Sequence, residues 1–466
     1  MLKYEIWRLD RMEDIMKITA IELNNFRSIR HLFMNLSNNN AKNIKRIVAI
    51  YGENGAGKST IIDSFKNLCL SIRTLDNLGK FIKFRDTIIE QNKDSTIDPS
   101  IILEHSKDRL FTNIHDVFNN CHTINTEENT IIKYSFYLNG KQGYYQLTFS
   151  ESNELLEERM YHVLNKNRGV LFDIKKNKTP LLNAGIIKDK NLKKEIMNMI
   201  NKYWGQHTLL AIISNEIKNY NSEFIKDNIK INILDFIDNI AKTSFYQHSV
   251  SSEIIGSSQR IQGGNIERGK IPLSWEPHLD MIETILNTFI PSSYSDVLKV
   301  FYRKNKNAKS IEYELIFKKR IGGEAVDISV KLESGGTRRL IKILPLLIDA
   351  IRGHIVIIDE IDNGIHDLLM YQILKSISET IEGQLIFTTH NTQLMNSINS
   401  SNVFILNTDR NGQKEIYALD EFGVRSTNNI SKMYLEGKFD GIPYPDNEGM
   451  KVMMEEFSLH DKNKKA

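Results

Sequence analysis

Short stretches in which apolar and polar residues alternate predict strands in the first third of the chain. They lie at 17–24, 131–137 and 144–149. The last two flank Asn139-Gly140, a pair that favours the tight turn of a β-hairpin. A turn at Asn25–Ser28 follows the first stretch, and the polar residues of Gln91–Pro99 predict a loop.

Two different patterns follow each other between residues 47 and 72. Ile47–Tyr51 is a continuous apolar run, which is typical of a strand buried on both faces. From Ser59 to Ile72 the apolar residues recur near every 3.6 positions, which predicts a helix. The segment therefore indicates a strand, a short connection and a helix.

Helical spacing dominates from 184 to 292, most clearly at 192–203 and 231–240, with a polar loop predicted at 251–269. A helix is also predicted after Gly335-Gly336. Strands return around this helix, at 311–318, 326–332, 354–358, 384–388 and 403–407.

Strands that alternate with helices predict an α/β fold. A chain of 466 residues exceeds what one core usually supports, so several parts are expected. We expect an N-terminal lobe, a helical insertion, a C-terminal lobe and a tail, at 1–183, 184–292, 293–446 and 447–466. The insertion is either a partner-contacting element or a passive lid.

Charge and cysteine content exclude several classes of protein. The 61 basic and 58 acidic residues leave a net charge of +3, so no strongly charged partner is indicated for the chain as a whole. The two cysteines, Cys69 and Cys121, have no CxxC or histidine companion, which argues against a disulfide framework or a zinc site. We find neither a membrane-length apolar run nor a signal peptide, and expect a cytoplasmic protein.

The strand at 47–51 runs into a glycine-rich motif that fits G-x-x-x-x-G-K-[ST]. Its residues are Gly52, Glu53, Asn54, Gly55, Ala56, Gly57, Lys58, Ser59 and Thr60. Between a strand and a helix this motif predicts a P-loop, whose backbone N–H groups bind the phosphates of ATP. Lys58 is then expected to reach the β- and γ-phosphates, and the Ser59 hydroxyl to bind Mg²⁺.

A second strand, Ile355–Ile358, delivers the carboxylates of Asp359 and Glu360 to its end. Ligands bind at the carboxyl ends of strands in open α/β sheets. Asp359 therefore fits an Mg²⁺ ligand, and Glu360 fits a general base for water. The alternative is that both acids cap the next helix.

Two further motifs keep a suggestive spacing around Asp359. Ser334-Gly335-Gly336 begins 25 residues before it and precedes an apolar helix, whose N-terminus favours an anion. His390 lies 31 residues after it, at the end of the strand at 384–388, and is a candidate γ-phosphate contact.

In this order the four motifs resemble an ABC-type ATPase head of the SMC, RecF and OLD group. The resemblance implies an α/β head with an antiparallel β subdomain, here with a helical insertion and no long coiled coil. It also implies that the signature Ser334 of one protomer completes the ATP site of another, so that the chain forms at least a dimer. Arg27, in a first strand like that of RecF and SMC, either approaches the nucleotide or is a surface arginine. Gln91 is either the Q-loop glutamine or a plain loop residue.

Three segments also resemble the standalone ATPases of bacterial abortive-infection systems, such as the ATPase subunit of PARIS and, more loosely, that of Septu. They are Glu333–Thr337, Thr388–Asn391 and Tyr434–Pro443. Ile361 and Asp440 depart from that group, which usually has Pro and a small residue at these places.

The resemblance implies an ATP-gated sensor of a separate toxic effector, expected to be a nuclease, that responds to a phage protein or nucleic acid. Only 23 residues follow Pro443, and we expect no nuclease there. The alternative is a RecF-like DNA-repair clamp that uses basic clusters at 303–309 and 318–320. A transporter subunit ranks lower, because the signature lacks the LSGGQ form.

Overall fold

The computed structural model describes residues 15–38, 43–91, 111–164, 167–219, 222–247, 254–255, 266–424, 429–442, 449 and 451–456. In chain order the strands are β1 (Lys17–Phe26), β2 (Ile29–Asn35), β3 (Ile47–Gly52), β4 (Thr130–Leu138), β5 (Lys141–Phe149), β6 (Leu155–Val163), β7 (Arg168–Lys175), β8 (Leu181–Leu182), β9 (Ser244–Tyr246), β10 (Ile254–Ile255), β11 (Arg268–Pro272), β12 (Val297–Lys306), β13 (Ser310–Ile321), β14 (Glu324–Ser329), β15 (Ile355–Ile358), β16 (Gln384–Thr388), β17 (Val403–Thr408) and β18 (Lys414–Ala418). The α-helices are α1 (Lys58–Ser71), α2 (Thr74–Gln91), α3 (Ile114–Phe118), α4 (Lys190–Tyr203), α5 (Leu209–Asn219), α6 (Ser222–Asn228), α7 (Ile231–Lys242), α8 (Glu276–Ser293), α9 (Gly335–Ile351), α10 (Asp367–Thr380) and α11 (Ile430–Leu435).

A central sheet carries the strands that precede the predicted motifs. Its order is β10-β9-β15-β16-β3-β17-β18, in which the five inner strands are parallel and the two edge strands antiparallel. Because β3, β15 and β16 run in the same direction, the residues that follow them meet at one edge of the sheet.

The central sheet separates two hydrophobic cores, and its strands contribute to both. On β3, Val48 and Ile50 belong to the first core, while Ile47, Ala49 and Tyr51 belong to the second. Successive side chains of a strand point to opposite faces, which explains the division. Both faces are covered, and this accounts for the unbroken apolar run of the sequence.

A second, antiparallel sheet of seven strands has the order β2-β1-β4-β5-β6-β7-β8 and belongs to the first core. It contains the predicted hairpin, since β4 pairs with β5 around Asn139 and Gly140, whose φ angles are 50° and 74°. Two positive φ angles fit the type I′ turn that the Asn-Gly pair favours. β1 continues to Phe26, so the first turn is two residues shorter than predicted.

A buried glutamine joins these two sheets. Gln384, the first residue of β16, donates from its amide nitrogen to the carbonyls of Ile18 (2.9 Å) and Lys45 (3.0 Å). Its amide oxygen accepts from the Ile18 N–H at 2.9 Å. The side chain therefore connects the antiparallel sheet with the start of the central sheet.

The region from 184 to 292 does not have one core of its own. Helices α4, α5 and α7 pack in the first core, whereas α8 packs in the second. The loop predicted at 251–269 is wrong in part, because β10 and the start of β11 lie in it, and β9 joins the central sheet beside β15. Strands of two or three residues are too short to show a period. The domain boundaries stay a prediction.

The second core also contains a four-stranded sheet in which β13 pairs with β11, β12 and β14. Side chains of α8 accept hydrogen bonds from backbone N–H groups of β12. Asn287 accepts from the Val300 N–H at 3.0 Å, and Glu283 accepts from the Tyr302 N–H at 2.7 Å. The strand predicted at 326–332 ends at Ser329, and a 3-10 turn follows it.

The predicted α/β architecture with an antiparallel β subdomain is confirmed by the two seven-stranded sheets. The longest of the described helices, α2 and α8, have 18 residues each, so none forms a coiled-coil arm. None of the described helices combines the length and apolarity that crossing a membrane requires. The loop predicted at 91–99 lies outside the described residues except for Gln91, which ends α2.

A buried carboxyl group connects the antiparallel sheet with the helices behind it. Glu158 on β6 accepts from the Tyr145 hydroxyl and the Trp204 indole, both at 2.9 Å, and from the Leu209 N–H at 2.6 Å, at the start of α5. Burial raises the pKa of Glu158 to about 7, although these hydrogen bonds oppose the rise. The folded protein therefore holds a proton that the unfolded chain releases near pH 4.5.

We expect the Glu158→Gln variant to gain stability relative to the wild type as pH rises from 4.5 to 7. Over this range the folded wild type binds more protons than the unfolded chain, so its free energy of unfolding falls by up to about 3 kcal/mol. Urea unfolding of both proteins at several pH values checks this. His207, whose pKa burial lowers to about 4, is the control: His207→Gln removes a loss of stability on the acid side of pH 6.5. Parallel profiles for wild type and Glu158→Gln would refute the prediction.

Candidate active site

The glycine-rich loop after β3 has the backbone of an anion-binding turn. Gly52 has a φ of 152°, and a Cβ there would lie 2.4 Å from the Leu406 carbonyl oxygen. Gly57, with a φ of 111°, is the N-cap of α1. Side chains are excluded at both positions, so the backbone N–H groups and the helix N-terminus remain accessible to an anion.

Lys58 lies within this loop and is buried. Its ammonium donates to the carbonyls of Gly52 at 2.8 Å and Glu53 at 2.9 Å. Burial lowers its pKa to about 8, against the opposing charges of Asp359, Glu360 and Glu53. A buried ammonium held by carbonyl oxygens fits a site for a phosphate, which would supply the missing negative charge.

Asp359 is held between two hydroxyl groups. Ser59 donates to its Oδ2 atom at 3.0 Å, and Thr388, at the end of β16, donates to its Oδ1 atom at 2.5 Å. Burial raises the pKa of the Asp359 carboxyl, and both hydrogen bonds oppose the rise. A carboxylate beside a serine hydroxyl provides the hard oxygen ligands that Mg²⁺ prefers, so the donor set fits the predicted metal.

Glu360 follows Asp359 in an unusual backbone conformation. Its φ is 51°, in the left-handed region that few residues other than glycine adopt. Its N–H donates to the Thr388 hydroxyl at 2.7 Å, and its carboxylate accepts from the Asn363 amide at 2.9 Å. Thr388 therefore orients both acidic residues.

The Ser-Gly-Gly turn forms the N-terminus of α9. Ser334 is its N-cap, and its hydroxyl accepts from the Thr337 N–H at 3.1 Å. Ser334 and Gly335 are exposed. Gly336 packs against the loop after Glu360, where a Cβ would lie 2.0 Å from the Gly364 carbonyl oxygen. Only glycine fits this contact.

His390 is exposed and lies near the same edge of the sheet. Partial burial lowers the pKa of its ring, and the Lys58 ammonium lowers it further, while the Glu360 carboxylate opposes the shift. His390 follows β16, which lies between β3 and β15 with all three strands parallel, so the structure places it at the same edge of the sheet as the P-loop and the Asp359–Glu360 pair.

The family model described as AAA ATPase domain matches residues 16–395, which is most of the chain and includes every one of these motifs except the C-terminal segment at 434–443. The chain belongs to this family. It is an ATPase.

Solved structures similar to this ATPase include two SMC heads and a RecF protein. The SMC head domain from Thermotoga maritima has 14% identity and a TM-score of 0.37, covering 86% of this chain and 98% of that chain. The SMC head from Pyrococcus furiosus, bound to the C-terminal domain of ScpA, has 12% identity and a TM-score of 0.41, covering 91% and 100%. The recombination mediator RecF with ATPrS has 13% identity and a TM-score of 0.37, covering 87% and 99%. No curated protein matches the sequence of this ATPase.

The structure adds a glutamine that the sequence did not single out. Gln247 directly follows β9, the parallel neighbour of β15, and its amide donates to Asp63 Oδ1 at 3.1 Å. Asp63 lies one turn after Ser59 on α1 and also pairs with Arg27. Arg27 is thus tied to α1 beside the candidate site, and the structure adds Gln247 as a Q-loop candidate. A three-residue strand gave no sequence signal for it.

We expect Thr388→Val to lower the ATP hydrolysis rate and to destabilise the protein by about 1–3 kcal/mol. Valine has the shape of threonine, but it leaves Asp359 Oδ1 and the Glu360 N–H without the partner they share. Thermal unfolding and a phosphate-release assay check this. Thr388→Ser keeps the hydroxyl and is the control; equal losses in both variants would contradict the prediction.

Proposed function

We propose that this protein is an ABC-type ATPase that associates through composite ATP sites and thereby controls a separate toxic effector, a nuclease, in anti-phage defence. The observation that carries the proposal is the exposed Ser334-Gly335 turn at the N-terminus of α9. In the described part of the chain the Ser334 side chain bonds only to Thr337, within its own turn.

The residues of one protomer supply most of an ATP site. Lys58 would bind the β- and γ-phosphates in place of the carbonyls that it now contacts, and Ser59 and Asp359 would hold Mg²⁺. Glu360 accepts a proton from water, and His390 contacts the γ-phosphate region. Mg²⁺, when bound, would neutralise negative charge on the phosphates in addition to that neutralised by the Lys58 ammonium.

We infer that a second protomer completes the site with a further donor to the γ-phosphate. An exposed helix N-terminus with a serine hydroxyl is suited to this role, because it presents free N–H groups and the positive end of the helix dipole. The α9 turn of a second protomer would supply both. ATP would then act as a link between subunits.

The regulatory role rests on the resemblance to abortive-infection ATPases and on a series of contacts between the C-terminal segment and the loop that contains His390. Tyr434, in a segment that carries the resemblance, donates to the Gly441 carbonyl at 2.6 Å and packs edge-on against Tyr51, with ring centroids 6.0 Å apart. The Tyr51 hydroxyl donates to the Asn391 carbonyl at 3.0 Å, next to His390. The C-terminal segment is therefore in contact with the loop that contains His390, and this supports a readout of ATP by the effector.

The RecF-like DNA clamp is the alternative, and four of the seven basic residues in its proposed clusters pair with acids. Lys306 lies 2.8 Å from Glu276, and Lys319 lies 3.0 Å from Asp296. Lys304 pairs with Asp280. Paired lysines offer less charge to a DNA backbone than free ones, which favours the sensor over the clamp. Duplex binding with a steep dependence on salt would reverse this preference.

We expect Glu360→Gln to retain ATP and to accumulate as a dimer or larger assembly, because binding continues while hydrolysis is slowed. Mass photometry with and without ATP measures the assembly. Ser334→Arg is the matched control, since it fills the trans contact and leaves the P-loop intact. It should bind ATP in the monomer without associating. An unchanged mass for Glu360→Gln in ATP would refute the composite site.

The defence role is tested by expressing the gene with its neighbouring reading frames and challenging the cells with phage. We expect protection to require both Lys58 and a neighbouring nuclease gene, so that Lys58→Ala or deletion of that gene abolishes it. Protection by the ATPase gene alone, or sensitivity of the Lys58→Ala strain to DNA damage without any effect on phage, would contradict the proposal.

A further inference from the structure

One arginine is buried beside the candidate base without an acidic partner at hydrogen-bonding distance in the described part of the chain. Arg339 of α9 is 5% exposed, and its Nη2 atom donates to the backbone carbonyls of Asp359, at 3.1 Å, and Glu360. Its Nε and Nη1 atoms have no hydrogen-bond partner among the described residues. Burying a guanidinium with incomplete hydrogen bonding is costly, so stability alone does not account for an arginine here.

The same side chain also contacts the end of β9. Its guanidinium lies 5.0 Å from the centre of the Tyr246 ring, at the end of β9, in a cation–π arrangement. The Tyr246 carbonyl in turn accepts from the Asp359 N–H at 2.9 Å. Arg339 therefore links the helix that begins at Ser334 with the ends of β9 and β15.

Glu360 is held at both of its peptide groups. Thr388 accepts from its N–H at 2.7 Å, and Arg339 donates to its carbonyl. The left-handed conformation of a glutamate, with φ at 51°, costs roughly 1–2 kcal/mol and persists only where its surroundings impose it. These two bonds impose it and so fix where the side chain leaves the backbone, while the Asn363 amide donates to the carboxylate itself at 2.9 Å.

Helix α9 also contacts the loop that follows Glu360, through a second residue. Gly336, in the first turn of the helix, packs so closely on Gly364 that no side chain fits between them. A shift of α9 would therefore move the Glu360 carbonyl through Arg339 and the following loop through Gly364. Glu360 lies between these two contacts.

We propose that Arg339 is a positioning residue: it fixes the direction of the Glu360 carboxylate and makes it depend on the placement of the signature helix α9. This inference rests on the proposed role of Glu360 as the base. In the proposed dimer, Ser334 of one protomer contacts the ATP that the partner's P-loop holds, while Glu360 acts on the ATP in its own P-loop. Binding at Ser334 in one site would thus influence Glu360 in the other site.

Arg339→Gln and Arg339→Lys test the proposal in the full chain. Lysine keeps a charge over Tyr246 but lacks the flat fork of donors. We expect both variants to lower kcat for ATP by about 10- to 100-fold, as for a misplaced catalytic group, with KM changed less than about threefold. Arg352→Gln, at the other end of α9, is the control and should keep wild-type values of both.

A double-mutant cycle separates positioning from a structural role. If Arg339 acts through Glu360, Arg339→Gln added to Glu360→Gln should not lower the residual turnover further. Additive losses would overturn the proposal, and so would a raised KM at unchanged kcat. If Arg339→Gln fails to fold, the Lys variant decides by the same criteria. Wild-type turnover of Glu360→Gln would instead refute the base itself, and the inference with it.

Discussion

The carboxylate of Asp359 accepts hydrogen bonds from Ser59 and Thr388, and the architecture of the site depends on this arrangement. Ser59 follows β3, Asp359 follows β15, and Thr388 ends β16. The three residues meet only because β16 lies between β3 and β15 with all three strands parallel. A change in strand order would separate the phosphate loop from the acidic pair, even if every sequence motif were kept.

Most of the fold and the site could be predicted because both depend on long local patterns. Unbroken apolar runs predicted the central strands. The polar residues that follow these runs include the candidate site residues Lys58, Ser59, Asp359 and Glu360. Arg338 and Arg339 show where this reasoning stops. Adjacent helix positions point about 100° apart, so Arg338 pairs with Glu267 near the surface while Arg339 is buried behind the acidic pair. The sequence Arg-Arg does not say which of the two faces inward.

Thr388 and Gln247 were missed for a related reason, since their importance comes from neighbours that are distant in sequence. Thr388 is the last residue of an ordinary apolar strand, and its hydroxyl matters only because β15 is paired beside it. Gln247 follows a strand of three residues, which no periodicity reveals. The roles of both, like those of the predicted site residues, remain proposals that the variants described above can decide.

Gln384 restricts the motions that are open to this head. Its three buried hydrogen bonds tie β1 to the base of β3, and breaking them would leave polar groups unpaired in a dry interior, at about 1–3 kcal/mol for each group. The antiparallel sheet and the phosphate loop should consequently rotate as one rigid body. We therefore expect motion that responds to ATP on the opposite face of the central sheet, where α8, α9 and the four-stranded sheet pack in the second core.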